Sequence, residues 1–205
     1  MLEVIAGCMY SGKSEELIRR LRRCKIAGQK VWAFKPAIDN RYSVTSIATH
    51  PVEGLGDFFE AIPVRDVEDL RSRLSSLPLH VDVVIGFDEV QFMPEEVVEL
   101  LEEQANLGKR VIVAGLDLDS DGKPFGPIGA LLARADTITK LTAVCTAPRV
   151  NEDPPGLCGK PATKSYRIPE ASNGSTVQVG STGVYEARCR CCWVAGRTGG
   201  PWQTK

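Results

Sequence analysis

Three groups of residues carry the chemistry. Gly7-Cys8-Met9-Tyr10-Ser11-Gly12-Lys13-Ser14 has the spacing G-x-x-x-x-G-K-S of a phosphate-binding loop. Glycines at Gly7 and Gly12 let backbone N–H groups come close to phosphate oxygens, and Cys8, Met9, Tyr10 and Ser11 complete the curve. A helix starting at the loop adds positive potential. Lys13 then reaches the β- and γ-phosphates, and the Ser14 hydroxyl ligates Mg²⁺. The second group is Asp88-Glu89, two carboxylates closing an apolar run. In a nucleotide-binding sheet, ligands gather at the C-terminal ends of strands. Asp88 is placed there to hold Mg²⁺, and Glu89 to act as general base on the attacking group. Acids after a strand also serve as helix caps, but the phosphate loop favours the metal-linked reading. Gln91 and Phe92 follow closely enough to line the same cleft. The third group is cysteine. Of seven cysteines, Cys145, Cys158, Cys189, Cys191 and Cys192 fall in the last third, with Cys189 and Cys192 forming a C-x-x-C pair. In a cytosolic chain such a cluster points to metal rather than to disulfides.

The surrounding pattern supplies the elements that position these groups. Residues 2–6 are a short apolar strand, and from Ser14 a helix with Leu17, Leu21 and Cys24 on one face runs towards Gly28. Val31 to Phe34 is a strand, 66–77 a helix, and Val81 to Phe87 a near-continuous apolar run, read as a buried parallel strand. Pro94 opens a helix ending towards Gly108, Arg110 to Ala114 is a strand, 127–134 a short helix, and Thr137 to Leu141 a last strand. Alternating strands and helices predict an α/β fold: a P-loop nucleotide-binding parallel sheet with helices on both faces. After about residue 142 the apolar runs stop and Gly, Pro, Asn and Ser increase. The expected division is a P-loop α/β domain over 1–142, a metal-held module over 143–193 and a flexible tail over 194–205.

Composition limits the partners. The chain has 205 residues, 43% hydrophobic and 25% charged, with a formal net charge of -1. That is a normal globular mixture with no general basic character, which argues against a nucleic-acid binder. No apolar run approaches the ~20 residues needed to span a bilayer, and residues 1–5 lack a signal-peptide pattern, so no membrane is expected and a cytoplasmic location is. Arg19, Arg20, Arg22 and Arg23 are read as a solvated or subunit-contacting helix face.

Taken together, the motifs resemble the type II thymidine kinases, cytosolic deoxynucleoside kinases with a zinc-held lasso. The resemblance covers roughly residues 2–193. It rests on GCMYSGKSEELIRRLRR, on Asp39-Asn40-Arg41-Tyr42, on FDEVQF at 87–92, on AGLD at 114–117 with PFG at 124–126, on KLTAVC at 140–145, on CGKPAT at 158–163, and on VQVG with YEARCRCC at 177–192. It implies transfer of the γ-phosphate of ATP to the 5′-hydroxyl of thymidine, with Mg²⁺, a structural Zn²⁺, a homotetramer and feedback inhibition by thymidine triphosphate. Carried over by position, Glu89 matches the proton acceptor and Lys13, Ser14 and Asp88 the triphosphate and Mg²⁺ groups. Asp39 and Arg41 match positions facing the triphosphate, and Gln91 belongs to the same acidic motif. Met9, Phe92, Leu116 and Phe125 match residues around thymine or sugar. Val177, Gln178, Val179 and Gly180 match the lasso backbone that grips the base, with Tyr185 an aromatic contact and Ser165 a hydroxyl nearby.

The sequence departs from that pattern twice. Relatives carry C-x-x-C where this chain has Cys145-Thr-Ala-Pro148, and CGKPAT restores the pattern only at Cys158. An insertion of about ten residues between two ligands accounts for this, which makes the expected zinc set Cys145, Cys158, Cys189 and Cys192, with Cys191 a bystander. Second, Ser120 and Asp121 stand where relatives carry an aromatic and an arginine, so one pocket wall is expected to be more polar or more open. The rival readings are a kinase of another deoxynucleoside, a zinc-containing P-loop ATPase acting on nucleic acid, and a non-catalytic nucleotide-binding module.

Overall fold

Strand β1 (Leu2–Gly7) is buried along its whole length and ends in the phosphate loop. Described in this computed structural model are residues 1–39, 45–48, 57–78, 82–149, 156–169 and 183–198. Helix α1 (Lys13–Ile26) follows the loop, with Glu15 and Glu16 in its first turn and Arg23 and Lys25 in its last, the order the helix dipole favours. The chain continues through β2 (Lys30–Pro36), the three-residue strands β3 (Ser46–Ala48), β4 (Phe58–Glu60) and β5 (Ile62–Val64), and α2 (Val67–Ser75). The Asp66 carboxylate caps α2 by accepting from the Asp69 N–H at 2.8 Å. Then come β6 (Val83–Phe87), a 3₁₀ turn at Val90–Phe92, α3 (Val97–Asn106), β7 (Arg110–Leu116), α4 (Ile128–Arg134) and β8 (Thr137–Leu141).

Six strands form one sheet in the order β5-β2-β6-β7-β1-β8, every neighbouring pair parallel. Alternate residues feed opposite faces. Val4, Ala6, Ile85, Phe87, Val111 and Val113 pack against Leu70, Leu74, Val97, Leu101, Ile128 and Leu131 of α2, α3 and α4. Ile5, Ala33, Val84, Ile112 and Ala114 pack against Leu17, Ile18 and Leu21 of α1, together with Ile47 and Phe59. Each buried Val, Leu, Ile or Phe side chain among them contributes about 1.5–3 kcal/mol. The predicted parallel sheet with helices on both faces is therefore observed.

The α1 arginines do more than face water. Arg20 donates to Glu3 at 2.7 Å and to Glu16 at 2.8 Å, tying α1 to β1, while Arg22 pairs with Asp57.

Beyond β8 the elements shrink. Strands β9 (Ala143–Val144), β10 (Pro148–Arg149), β11 (Gly156–Leu157), β12 (Pro161–Ala162), β13 (Lys164–Arg167) and β14 (Tyr185–Arg188) pair as three antiparallel two-stranded ribbons. Helix α5 (Arg190–Thr198) follows. It extends past Trp193 to Thr198, so residues 194–198 of the expected flexible tail are helical. Tertiary contacts hold it there: the Tyr166 hydroxyl donates to the Gly196 carbonyl at 3.1 Å, and Arg197 pairs with Asp121 at 2.8 Å. Residues 199–205 of the expected tail lie outside the described residues. No helix among the described residues is long and apolar enough to cross a membrane.

Candidate active site

The sheet register brings the chemical groups to one edge. Gly7 of β1 lies opposite Leu116 of β7 and Leu141 of β8, and Phe87 of β6 lies opposite Val113. The phosphate loop, Asp88-Glu89 and Leu116 thus all leave the sheet at the C-terminal strand ends. They enclose a solvent-open cleft of about 670 Å³ whose walls include Met9, Lys13, Ser14, Asp39, Asp88 and Glu89, with Tyr10, Ser11, Gly12 and Leu116.

Gly12 caps α1 with φ at 81°, a left-handed conformation that side chains resist, so glycine is required there. Lys13 is buried, and its ammonium donates to the Cys8 carbonyl at 2.9 Å. A phosphate oxygen entering the loop competes for that ammonium. The Ser14 hydroxyl donates to Asp88 Oδ2 at 2.9 Å. Asp88 Oδ1 is buried with no hydrogen-bond partner. Burial, then the neighbouring Glu89 charge, pushes the Asp88 carboxyl up to about 7, against the pull of Ser14 and Lys13. An orphaned, desolvated carboxylate oxygen beside a serine hydroxyl fits a divalent cation: Ser14 and Asp88 would hold Mg²⁺.

Glu89 is also buried, and its backbone sits in the left-handed region at φ 53°. Only a few per cent of non-glycine residues do this, commonly at functional sites. The turn swings the carboxylate into the cleft beside Asp88. Lys35, which belongs to none of the motifs, forms a 2.9 Å ion pair with Asp39 on the cleft wall. A lysine closing the apolar run Val31-Trp32-Ala33-Phe34 was the signal available.

Several expected residues lie elsewhere than expected. Gln91 is behind Glu89 rather than on the wall, and only 3% exposed. Phe92 and Phe125 meet edge to face at 5.7 Å, half-buried, and neither is among the residues lining the cleft. The Ser165 hydroxyl accepts from the Met9 N–H at 3.1 Å, so it braces the loop. The Tyr185 carbonyl accepts from the Tyr10 hydroxyl at 3.3 Å. Ser120 and Asp121 do not line the cleft. They face α5: Arg197 donates to the Ser120 carbonyl at 3.1 Å and to Asp121 at 2.8 Å. The expected polar pocket wall is therefore not observed at these two residues. Arg41, Val177, Gln178, Val179 and Gly180 lie outside the described residues.

The sulfurs of Cys145, Cys158, Cys189 and Cys192 all lie within 4.8 Å of one another, and Cys158 and Cys189 are 3.9 Å apart. A tetrahedral zinc with Zn–S bonds of ~2.3 Å sets sulfurs about 3.8 Å apart, so the cluster fits that ion. Cys145 follows β9, Cys158 lies between β11 and β12, and the other pair opens α5. Cys191 is exposed and outside the cluster. The buried apolar residues of this module are small: Ala143, Ala147, Ala162 and Ala187 with Cys145, Cys158 and Cys189, and Cys8 of the phosphate loop packs among them. Such a core is too thin to hold the ribbons together, which is a second reason a metal fits. Four thiolates leave no position for water, so zinc here would be structural. The Cys8 thiol donates to the Ala162 carbonyl at 3.3 Å, and burial pushes its pKa up, so it is a packed thiol rather than a reactive one.

Comparison with known proteins agrees with this geometry. The family described as thymidine kinase matches residues 1–193. A thymidine kinase of Deinococcus deserti is 48% identical, with 92% of each chain covered. A thymidine kinase of Deinococcus radiodurans is 46% identical, covering 91% of this chain and 86% of the relative. A match across the sheet, the acidic strand end and the cysteine module alike leaves one conclusion: the chain belongs to the thymidine kinase family.

Proposed function

We propose that this protein is an ATP- and Mg²⁺-dependent thymidine kinase of pyrimidine deoxynucleotide salvage, moving the γ-phosphate of ATP to the 5′-hydroxyl of thymidine to give dTMP. The observation that carries this is the meeting of Lys13, Ser14, Asp88 and Glu89 on one cleft. Family membership supplies the substrates.

Lys13 and the loop amides bind the triphosphate and draw charge from the γ-phosphate as it leaves. Ser14 and Asp88 would hold Mg²⁺, which would supply neutralising charge to the triphosphate. Glu89 accepts the proton of the 5′-hydroxyl, a poor nucleophile without a base. Asp39 and Arg41 flank the triphosphate. Met9 and Leu116 form the nearer wall for the nucleoside, with Phe92 and Phe125 behind it. Segment 177–180 reads the pyrimidine edge through its backbone, and Tyr185 covers the ring face. Cys145, Cys158, Cys189 and Cys192 would hold a zinc that would tie the ribbons of the second module together. The same reading extends to a homotetramer inhibited by thymidine triphosphate.

A competition panel of thymidine, deoxyuridine, deoxycytidine and deoxyguanosine with MgATP tests the specificity. Because Ser120 and Asp121 face α5, thymidine is expected to be preferred. Broad or shifted acceptance would contradict the assignment and return these two residues to the substrate pocket.

A further inference from the structure

Gln91 is a buried polar side chain that the chemistry above leaves without a task. Both ends of its amide are occupied. Nε2 donates to Glu89 Oε2 at 2.5 Å, and Oε1 accepts from the Leu116 N–H at 3.0 Å. The partners fix the orientation of the amide, since a backbone N–H needs the oxygen and a carboxylate needs the N–H₂ group. Leu116 ends β7 and lines the cleft, so its backbone is anchored in the central sheet. Two glycines make the room: a Cβ at Gly115 would lie 2.9 Å from Gln91 Oε1, and one at Gly126 would lie 2.4 Å from the Gln91 carbonyl oxygen. The side chain is thus packed against β7, while Gly126 lets the chain pass close to the Gln91 backbone.

Glu89 needs such an anchor. It stands on a left-handed backbone at the start of a single 3₁₀ turn, not on a rigid strand. We infer that Gln91 is a positioning residue for Glu89, its amide locking the carboxylate of the base to the backbone end of β7. It touches neither substrate, and its place behind the cleft separates it from nucleotide binding. Misplacing a reacting group by ~1 Å costs about 10²-fold in rate. The inference rests on the reading of Glu89 as general base.

The test is a double-mutant cycle on the zinc-loaded full chain, with kcat and KM measured separately. Gln91→Met keeps the length and removes both hydrogen bonds. Its kcat is expected to fall about 10²-fold, with KM for ATP and thymidine changed by less than ~3-fold. In a Glu89→Gln background the same change is expected to alter the residual rate by less than ~3-fold, because no base remains to be positioned. Should Gln91→Met melt too low to assay, Gln91→Asn carries the test. It keeps an amide but is one methylene shorter, so it cannot span Glu89 and the Leu116 N–H together, and its kcat is expected to fall in the same direction. Near-native kcat, an equal loss in both backgrounds, or a raised KM for ATP at unchanged kcat would overturn the inference. Normal turnover by Glu89→Gln alone would instead overturn the base assignment.

Discussion

Glu89→Gln lowers turnover by about 10²- to 10⁴-fold while ATP still binds, the span that general base catalysis supplies. That is a loss of ~3–5 kcal/mol of transition-state stabilisation. The substitution is isosteric and leaves Lys13, Ser14 and Asp88 in place, so the triphosphate site keeps its charges. It removes only the group that takes the hydroxyl proton. The effect should therefore fall on kcat, with KM for ATP little changed. Steady-state kinetics with a separate ATP titration measures both. Near-normal turnover would remove Glu89 from this role.

Cys158→Ser has the next largest effect, and it acts at a distance. Structural zinc in small modules contributes about 10–16 kcal/mol of apparent binding free energy, which is also folding free energy. The alanine and cysteine core of the second module has little to replace it. Three consecutive residues of the phosphate loop lean on this module: Cys8 on Ala162, Met9 on Ser165 and Tyr10 on Tyr185. Loss of the metal should therefore loosen the loop as well as the module. Metal analysis is expected to give about one zinc per native chain and none in Cys158→Ser, with a raised KM for ATP. Cys191→Ser is the control, since that thiol is exposed and outside the cluster, and it should keep its zinc. Zinc retained in the first variant, or lost in the second, would contradict the ligand set.

Much of the sheet domain is legible in the residues. Strands such as Val83–Phe87 are buried along their length and therefore appear as apolar runs. Helix α1 shows its buried stripe and its charge order. The three-residue strands β3, β4 and β5 are too short to show a period. Helix α5 escapes for another reason. Its Gly196 and the following Gly199-Gly200-Pro201 look like a flexible tail, and only tertiary partners reveal the helix. Asp121 shows the same limit. Its type suggests a polar pocket wall, whereas its partner Arg197 is 76 residues away and holds its carboxyl below the usual range. In the site, Lys13, Ser14, Asp88 and Glu89 are legible because motif spacing and strand ends determine where they go. The place of Gln91 is not, because it depends on the Leu116 backbone of another strand.

The central claim is phosphoryl transfer from ATP to a nucleoside hydroxyl at the Lys13–Asp88–Glu89 cleft. Its most direct test is to supply γ-labelled ATP, Mg²⁺ and thymidine to zinc-loaded protein and follow the label. Label on the 5′-oxygen of thymidine, with one ADP formed per dTMP and the transfer lost in Glu89→Gln, is the predicted result. Label released only as inorganic phosphate, above all if polynucleotide stimulates the release, would contradict the account and make the protein an ATPase.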